Sequence, residues 1–374
     1  MEHSDNPESL ILHWGQTGAG PRFLADIARE YARSGNVFTL SYNARADIGD
    51  ELSKISTDRV TVRTYRSKAG VLLNYPRSLC QAVRIRRMLT RRNTRVVIST
   101  MESIHQSLTV PLVLPKNVVY VTIVHDGTHH AGENGAIYRM MRRAELRRAD
   151  VVVALSSPSA EALSANGANV VESRHPAFEH RTETAPRKSP PPPATCRIGF
   201  VGRLTEYKGI DLLPEIARIL ISQGFTRGIE VYGDGPLKPD VDRMGQEILA
   251  DTRWIPDDEL NTIMSELDLI ILPYTEASQS GVVALAMALG VPCIVAPVGG
   301  LVEQVNESGC GLVAEAATSL AIADAAQRLL SDPARYADCS TAGIVAASGA
   351  FSWSRLRTDI DNAVSRICRT GVAE

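Results

Sequence analysis

The sequence predicts an α/β protein made of two doubly wound domains with parallel sheets. Three observations carry this. The chain has 374 residues, more than one ordinary core accommodates and enough for two. Short apolar runs alternate with helix-length segments from end to end, the pattern of strand–helix units on a parallel sheet. A single proline-rich stretch interrupts the alternation near the middle, after which it restarts.

In the first half the apolar runs are Leu10–His13, Val37–Leu40, Val96–Ser99, Val118–His125 and Val151–Leu155. Several are too apolar to have a wet face, so they are expected to lie under helices on both sides. Arg22–Arg33, Pro76–Arg92 and Ile137–Ala149 supply helices between them. Glu183 to Thr195 then carries Pro190–Pro193, which can enter neither a helix nor a central strand and stiffens toward polyproline II. The spacing therefore predicts a first domain over 1–186, a linker over 187–195 and a second domain over 196–352. The second domain's strands are expected at Arg197–Val201, Ile229–Tyr232, Leu267–Leu272, Cys293–Ala296 and Gly311–Val313, and a last helix at Trp353–Ile367.

Composition is plainly globular, with 44% hydrophobic and 22% charged residues. The charge is unevenly placed. Residues 1–190 hold 26 Lys and Arg against 18 Asp and Glu, and residues 191–374 hold 14 against 24, so a net charge of −2 divides into a +8 half and a −10 half. A basic half suits an anionic surface or acceptor, or simply complements the acidic half. Nucleic acid is disfavoured as a partner, since aromatics are 5% and do not interleave with the basic residues. Six scattered cysteines lack metal or redox spacing and read as free thiols in a reducing compartment. The polar, acidic start is no secretory signal, and no apolar run reaches the ~18 residues of a membrane span. The expected location is cytoplasmic.

Four glycine-bearing corners follow predicted strands, where open parallel sheets bind ligands and helix N-termini attract phosphate. The first, His13 to Arg22, carries Gly18 and Gly20, which would let backbone approach a ligand. It lacks the third glycine and the acidic residue of a dinucleotide site. The second, Gly199 to Gly209, places Gly202-Arg203 at a strand end and Lys208-Gly209 at a helix start, two cations suited to a diphosphate. The third is the turn Gly233-Asp234-Gly235-Pro236, chiefly architectural. The fourth, Tyr274 to Val283, has Glu276 in its loop and Ser280 as the cap of an apolar helix, whose Gly281 and Val282 amides would face a ligand.

The order and spacing of GRLTEYKG, GDGP and PYTEASQSGVVALAMALGVPCIVAPVGG resemble the retaining GT-B glycosyltransferases of family 4, the glycosyl transferases group 1, in their Ser-Gln-Ser-Gly variant. The resemblance implies the GT-B fold, two Rossmann-like domains facing across a cleft, with segment 353–374 packing back on the first. It also implies a nucleoside diphosphate sugar as donor substrate, no cofactor, and transfer with retention. Arg203 and Lys208 would hold the donor diphosphate, Glu276 the donor sugar, Gly281 and Val282 a phosphate, and Trp254 and Ile255 the base. One position departs from the pattern. The second acidic residue, expected on the ribose hydroxyls, is replaced by Ala284 or, in the register of Gly290, by Leu285.

In the first domain, Val118–His125 ends in His125-Asp126, and the resemblance places such a histidine near the reacting sugar. The candidate catalytic set is thus His125, Glu276, Arg203 and Lys208. His129 and His130 follow closely, but Gly127 breaks the helical spacing two metal ligands would need. The Asp-x-Asp pairs at Asp240–Asp242 and Asp359–Asp361 fall in predicted helices, so no metal site is expected. Two basic helices, one with Arg77, Arg84, Arg86, Arg87, Arg91 and Arg92 and one with Arg142, Arg143, Arg147 and Arg148, are either solvated faces or contacts to an anionic membrane bearing the acceptor. The reading is hexose transfer to a hydroxyl of a glycan or lipid-linked acceptor, in surface polysaccharide or glycoconjugate synthesis. The alternatives are a nucleotide-sugar-binding subunit without turnover and a GT-B sugar-nucleotide epimerase.

Overall fold

A computed structural model describes residues 8–65, 68–127, 135–178, 185–192 and 194–370. The chain divides into two compact units, Met1–Ser173 with Trp353–Glu374, and Arg174–Ser352.

Unit 1 holds a seven-stranded parallel sheet of β1 (Ser9–His13), β2 (Phe38–Asn43), β3 (Asp58–Val62), β4 (Val96–Ser99), β5 (Val119–Val124), β6 (Val151–Ala154) and β7 (Val170–Glu172), in the order β3-β2-β1-β4-β5-β6-β7. Alternate side chains of the central strands enter two cores. Ile11, Ile98, Val121, Ile123 and Val153 meet Phe23, Leu24 and Ile27 of the helix Ala19–Arg33. Leu10, Leu12, Val97 and Tyr120 on the other face meet Ala82, Ile85 and Leu89 of the helix Tyr75–Arg92.

The last helix, Trp353–Thr370, belongs to unit 1. Trp353, Leu356, Ile360 and Val364 recur at helical spacing and enter the first of those cores. Tyr31 donates to Asp361 at 3.0 Å and Ser173 to Asp359 at 2.8 Å, so both members of that Asp-x-Asp pair are occupied in fastening the helix. Ile360 is fully buried. Ile360→Ala should therefore cost about 2–5 kcal/mol, as other emptied core sites do. Urea denaturation would read this as a lower midpoint at unchanged slope; a shift worth under ~1 kcal/mol would show the helix to be dispensable to the core.

Unit 2 holds a six-stranded parallel sheet of β8 (Ile198–Val201), β9 (Ile229–Tyr232), β10 (Ile248–Asp251), β11 (Leu269–Leu272), β12 (Cys293–Val295) and β13 (Gly311–Val313), in the order β10-β9-β8-β11-β12-β13. Strand order reverses between β8 and β11, and a doubly wound sheet opens a crevice at such a reversal. Cys196, Cys293, Cys310 and Cys339 are buried in this unit, whereas Cys80 and Cys368 are exposed.

Two expectations are corrected. The unit boundary falls at 173/174, not 186/187, and Pro190–Pro192 lie within unit 2 rather than in a linker. Ala177 N–H donates to the Phe351 carbonyl at 2.7 Å, Arg187 N–H to Ser340 Oγ at 2.8 Å and Ala194 N–H to the Gly224 carbonyl at 2.7 Å. These bonds strap the segment onto unit 2, where Pro190–Pro192 line a groove with Phe225 and Leu330. The sequence also gave no hint of β3, β7 and β10. All three are short sheet edges (DRVTV, VVE and ILAD) with exposed positions, polar in the first two and Leu249 and Ala250 in the third, so none carries the apolar run of a strand covered on both faces.

Candidate functional site

Three loops meet at the carboxyl edge of the unit 2 sheet, around the reversal. After β8 the chain turns through Gly202-Arg203 and a short 3₁₀ turn, Glu206–Lys208, to Gly209. Gly209 has φ +64°, and a Cβ there would land on the carbonyl oxygen of Pro273, which follows β11. Only glycine lets the two loops close to that distance. Thr275 N–H then donates to the Tyr207 carbonyl at 2.8 Å. On the other side, Gly233 has φ +146° and lies against the Gly202 carbonyl, while Leu204 N–H donates to the Asp234 carbonyl at 3.0 Å. Gly233 is thus architectural first: it sets where Gly202 and Arg203 stand.

Lys208 is half-buried, and its ammonium lies 3.6 Å from the centroid of the Tyr274 ring and 5.0 Å from that of Tyr207. Two aromatic faces hold the charge in place. Tyr274 is fully buried, and burial pushes its phenol well above the usual range. Three buried polar atoms of these loops make no hydrogen bond: Thr205 Oγ1, Tyr274 Oη and Gln279 Oε1. Buried polar atoms left without partners are uncommon, and three in adjacent loops mark a place where water or a ligand supplies them. Arg203 and Glu276 stand exposed on the same loops.

The helix Gly281–Ala288 starts at the fourth corner with Ser280 as its cap. Gln304 clamps that start from the neighbouring helix Gly299–Ser308, accepting from Ser280 N–H at 3.0 Å and donating to its carbonyl at 3.1 Å. Phe178 lies 3.4 Å from where a Cβ of Gly281 would be. One expectation changes. Val282 N–H is taken by Ser280 Oγ at 3.2 Å, so the cap engages an amide that was assigned to a ligand. Gly281 keeps the position at which a helix offers an N–H with no intrahelical acceptor. Ala284 is fully buried in the core and Leu285 nearly so, so neither offers a polar contact. Trp254 is 58% exposed beyond the edge strand β10, and Ile255 is buried. Phe178, Tyr274 and Gln304 were not anticipated as site residues; only Tyr274 lay inside a motif.

In unit 1, Gly18 has φ +86° and donates its N–H to Asp47 at 3.3 Å. Gly20 is corrected: the space a Cβ would need is filled by the His13 imidazole, so the glycine makes room for a side chain, not a ligand. Burial lowers His13 to about 4, and its Nδ1 pairs with the Met101 carbonyl at 3.1 Å. His125 is half-buried just past β5, with Nε2 3.2 Å from the Thr100 carbonyl and its ring edge-on to Phe23 at 4.5 Å. His129 and His130 lie outside the described residues. Among the described residues, no three His, Cys, Asp or Glu side chains gather as metal ligands would.

Residues 195–332 match the family model of the glycosyl transferases group 1. The chain is 32% identical over 142 residues to 2-deoxystreptamine glucosyltransferase of Streptomyces kanamyceticus, a match covering 37% of each. It is 34% identical over 175 residues to D-inositol 3-phosphate glycosyltransferase of Corynebacterium urealyticum, covering 43% of this chain and 41% of that protein. The matches thus span well under half of these relatives. The fold is shared with Anabaena HepE in complex with UDP and glucose (TM-score 0.70, 16% identity, 96% of this chain and 99% of that one). It is shared equally with sucrose-phosphate synthase from Thermosynechococcus elongatus (TM-score 0.69, 16% identity, 98% and 100%).

Proposed function

We propose that the chain is a glycosyltransferase that moves a hexose from a nucleoside diphosphate sugar to a hydroxyl of a glycan or lipid-linked acceptor, with retention and without metal. The observation that carries this is the cation held over Tyr274 beside three unpartnered polar atoms, at the strand reversal of the unit that matches the group 1 family. Lys208 and Arg203 neutralise the diphosphate, the Gly281 helix start adds its partial positive charge, and Glu276 engages the sugar hydroxyls. As the glycosidic bond breaks, charge grows on the leaving phosphate, and cations already in place stabilise it there. Trp254 and Ile255 cradle the base. The relatives' names, with inositol phosphate and aminocyclitol acceptors, support transfer to a hydroxyl.

The location we propose is cytoplasmic, with peripheral contact to an anionic membrane. No helix among the described residues is long and apolar enough to cross one. Leu72 and Leu73 are over 80% exposed immediately before the basic helix Tyr75–Arg92, an apolar tip beside a cationic face. The second basic helix, Ala136–Arg148, is a poorer contact, since Arg142 pairs with Glu102 and Arg148 with Asp150. A second reading, a binding subunit without turnover, is favoured by the apolar Ala284 and Leu285. Incubation with UDP-, GDP- and dTDP-hexoses separates the two. Release of nucleoside diphosphate supports the enzyme; binding without release supports the subunit; neither binding nor release overturns both.

The same pair of residues sets an expectation for the nucleotide. A buried ribose hydroxyl left unpaired costs roughly 1–3 kcal/mol, so a site without the carboxylate gains little from the 2′-hydroxyl. dTDP should bind at least as tightly as UDP in calorimetric titration. UDP or GDP tighter by more than about tenfold, ~1.4 kcal/mol, would show that another group pairs with the hydroxyls.

A further inference from the structure

We propose that unit 1 carries an anion-binding pocket of its own, built by Arg63, Arg77 and Arg84 and suited to a phosphate-bearing ligand. It lies between the helix Tyr75–Arg92 and the edge strand β3, and the donor reading does not enter the argument. Two stripes of that helix have different tasks. Ser78, Ala82, Ile85 and Leu89 are buried against the sheet. Arg77, Cys80, Gln81 and Arg84 lie along an adjacent stripe and, with Ala44, Thr61 and Arg63, line a cavity of about 370 Å³. Thr61 and Arg63, two residues apart at the end of β3, reach it from the strand side.

The wall is fixed. Gln81 Oε1 accepts from Arg63 N–H at 2.7 Å, and Gln81 Nε2 donates to the Arg63 carbonyl at 3.0 Å and to the Arg77 carbonyl at 3.3 Å. One side chain thus ties strand end to helix and fixes the backbone on which Arg63 and Arg77 stand. No acidic residue lines the cavity, and among the described residues no ion pair takes any of the three arginines. Other arginines of the unit do find carboxylates. Arg92, at the end of the same helix, pairs with Asp58 at 2.6 Å, Arg29 with Asp26 at 2.6 Å and Arg148 with Asp150 at 2.8 Å. All three arginines are exposed, so water screens their mutual repulsion in part, and no carboxylate in the lining neutralises them. A tetrahedral oxyanion does, because each guanidinium fork matches two of its oxygens. The volume admits more than a single phosphate, so a diphosphate or a phosphorylated sugar or lipid headgroup fits the same chemistry.

Cys80 makes the test local. It is exposed in the pocket wall, and Cys368, exposed on the last helix, is the internal reference. The full chain is alkylated with iodoacetamide in the presence of inorganic pyrophosphate, and each cysteine's rate is followed by peptide mass spectrometry. Pyrophosphate bound in unit 2 leaves Cys80 untouched, so failure of the donor reading does not affect the result. At ten times the dissociation constant, Cys80 modification should slow about tenfold by mass action, with Cys368 unchanged. In Arg77→Gln with Arg84→Gln the half-protecting concentration should rise by about tenfold or more. Arg63→Gln, on the strand side, should act in the same direction if helix and strand share one ligand. Vesicles of phosphatidic acid in phosphatidylcholine form the second arm; protection by these as well as by pyrophosphate assigns a lipid headgroup as an accepted source. No protection by pyrophosphate, equal slowing of Cys368, an unchanged midpoint in the variants, or protection by vesicles alone would each overturn the pocket.

Discussion

Lys208→Ala should weaken nucleoside diphosphate binding by ten- to a hundredfold, to order of magnitude, and leave the free nucleoside unaffected. A charge-assisted hydrogen bond contributes roughly 1.5–3 kcal/mol, and each ~1.4 kcal/mol is tenfold in affinity. The upper part of that range is expected because the lysine is already in place. A free lysine side chain loses rotamer entropy when it grips a ligand. Here the ammonium lies 3.6 Å from the Tyr274 ring centroid before any ligand arrives, and Gly209 fixes the backbone behind it against Pro273. Tyr274→Leu should therefore lose part of the same affinity with the lysine still present, whereas Tyr274→Phe keeps the ring and isolates the unpartnered hydroxyl. Calorimetric titration with UDP, GDP, dTDP and the matching nucleosides reads all three variants. Equal loss for diphosphate and nucleoside would show that Lys208 is not at the phosphates and would remove the observation on which the function rests.

That site was legible because its polar residues sit in short loops directly after strands. GRLTEYKG and PYTEASQSG could be placed at strand ends from the apolar runs before them, and the structure joins the two loops through Gly209 and Thr275. What the sequence hid is what depends on distant packing. Gln304 clamps Ser280 from a helix two dozen residues away, and nothing in the spacing of an amphipathic helix says what its buried glutamine touches. Phe178 reaches Gly281 from a segment assigned to the other domain. Pro190–Pro192 lie in neither helix nor strand, as their composition predicts, but composition does not distinguish a linker from a strap; the hydrogen bonds of Arg187 and Ala194 do. In unit 1 the corner rich in glycine looked like a ligand loop, and two of its glycines, Gly15 and Gly20, turn out to make room for His13. The end of β2 was missed for a related reason. Ser41 and Asn43 are polar yet fully buried, because Ser41 accepts from the Trp14 indole at 3.1 Å and Asn43 donates to the Trp14 carbonyl at 3.1 Å.

Glu145→Gln should make the protein more stable than the parent by about 3 kcal/mol at pH 8, and by less than about 1 kcal/mol at pH 5. Glu145 is fully buried under unit 1's sheet, where Tyr120 Oη donates to it and Ser99 lies at 3.4 Å. Burial raises its carboxyl from 4.5 to about 7, against the opposing pull of the hydrogen bonds from Tyr120 and Ser107. The folded state therefore holds a proton that the unfolded chain releases near 4.5. The stability this confers is complete below about 4.5 and is lost as pH rises through 7. His13 works in the other direction, since burial lowers it from 6.5 to about 4: its folded form is neutral where the unfolded chain is protonated, and its contribution grows as pH rises over that window. The parent's own stability curve sums two opposed slopes and can be nearly flat. The difference between parent and variant cancels the His13 contribution and leaves that of Glu145 alone. Urea denaturation of both proteins at pH 5, 6, 7 and 8 reads that difference, which should open by at most about 1.4 kcal/mol per pH unit between 5 and 7 and then level off. A difference constant across the four pH values would mean that Glu145 is ionised in the folded protein throughout, with its hydrogen bonds outweighing its burial.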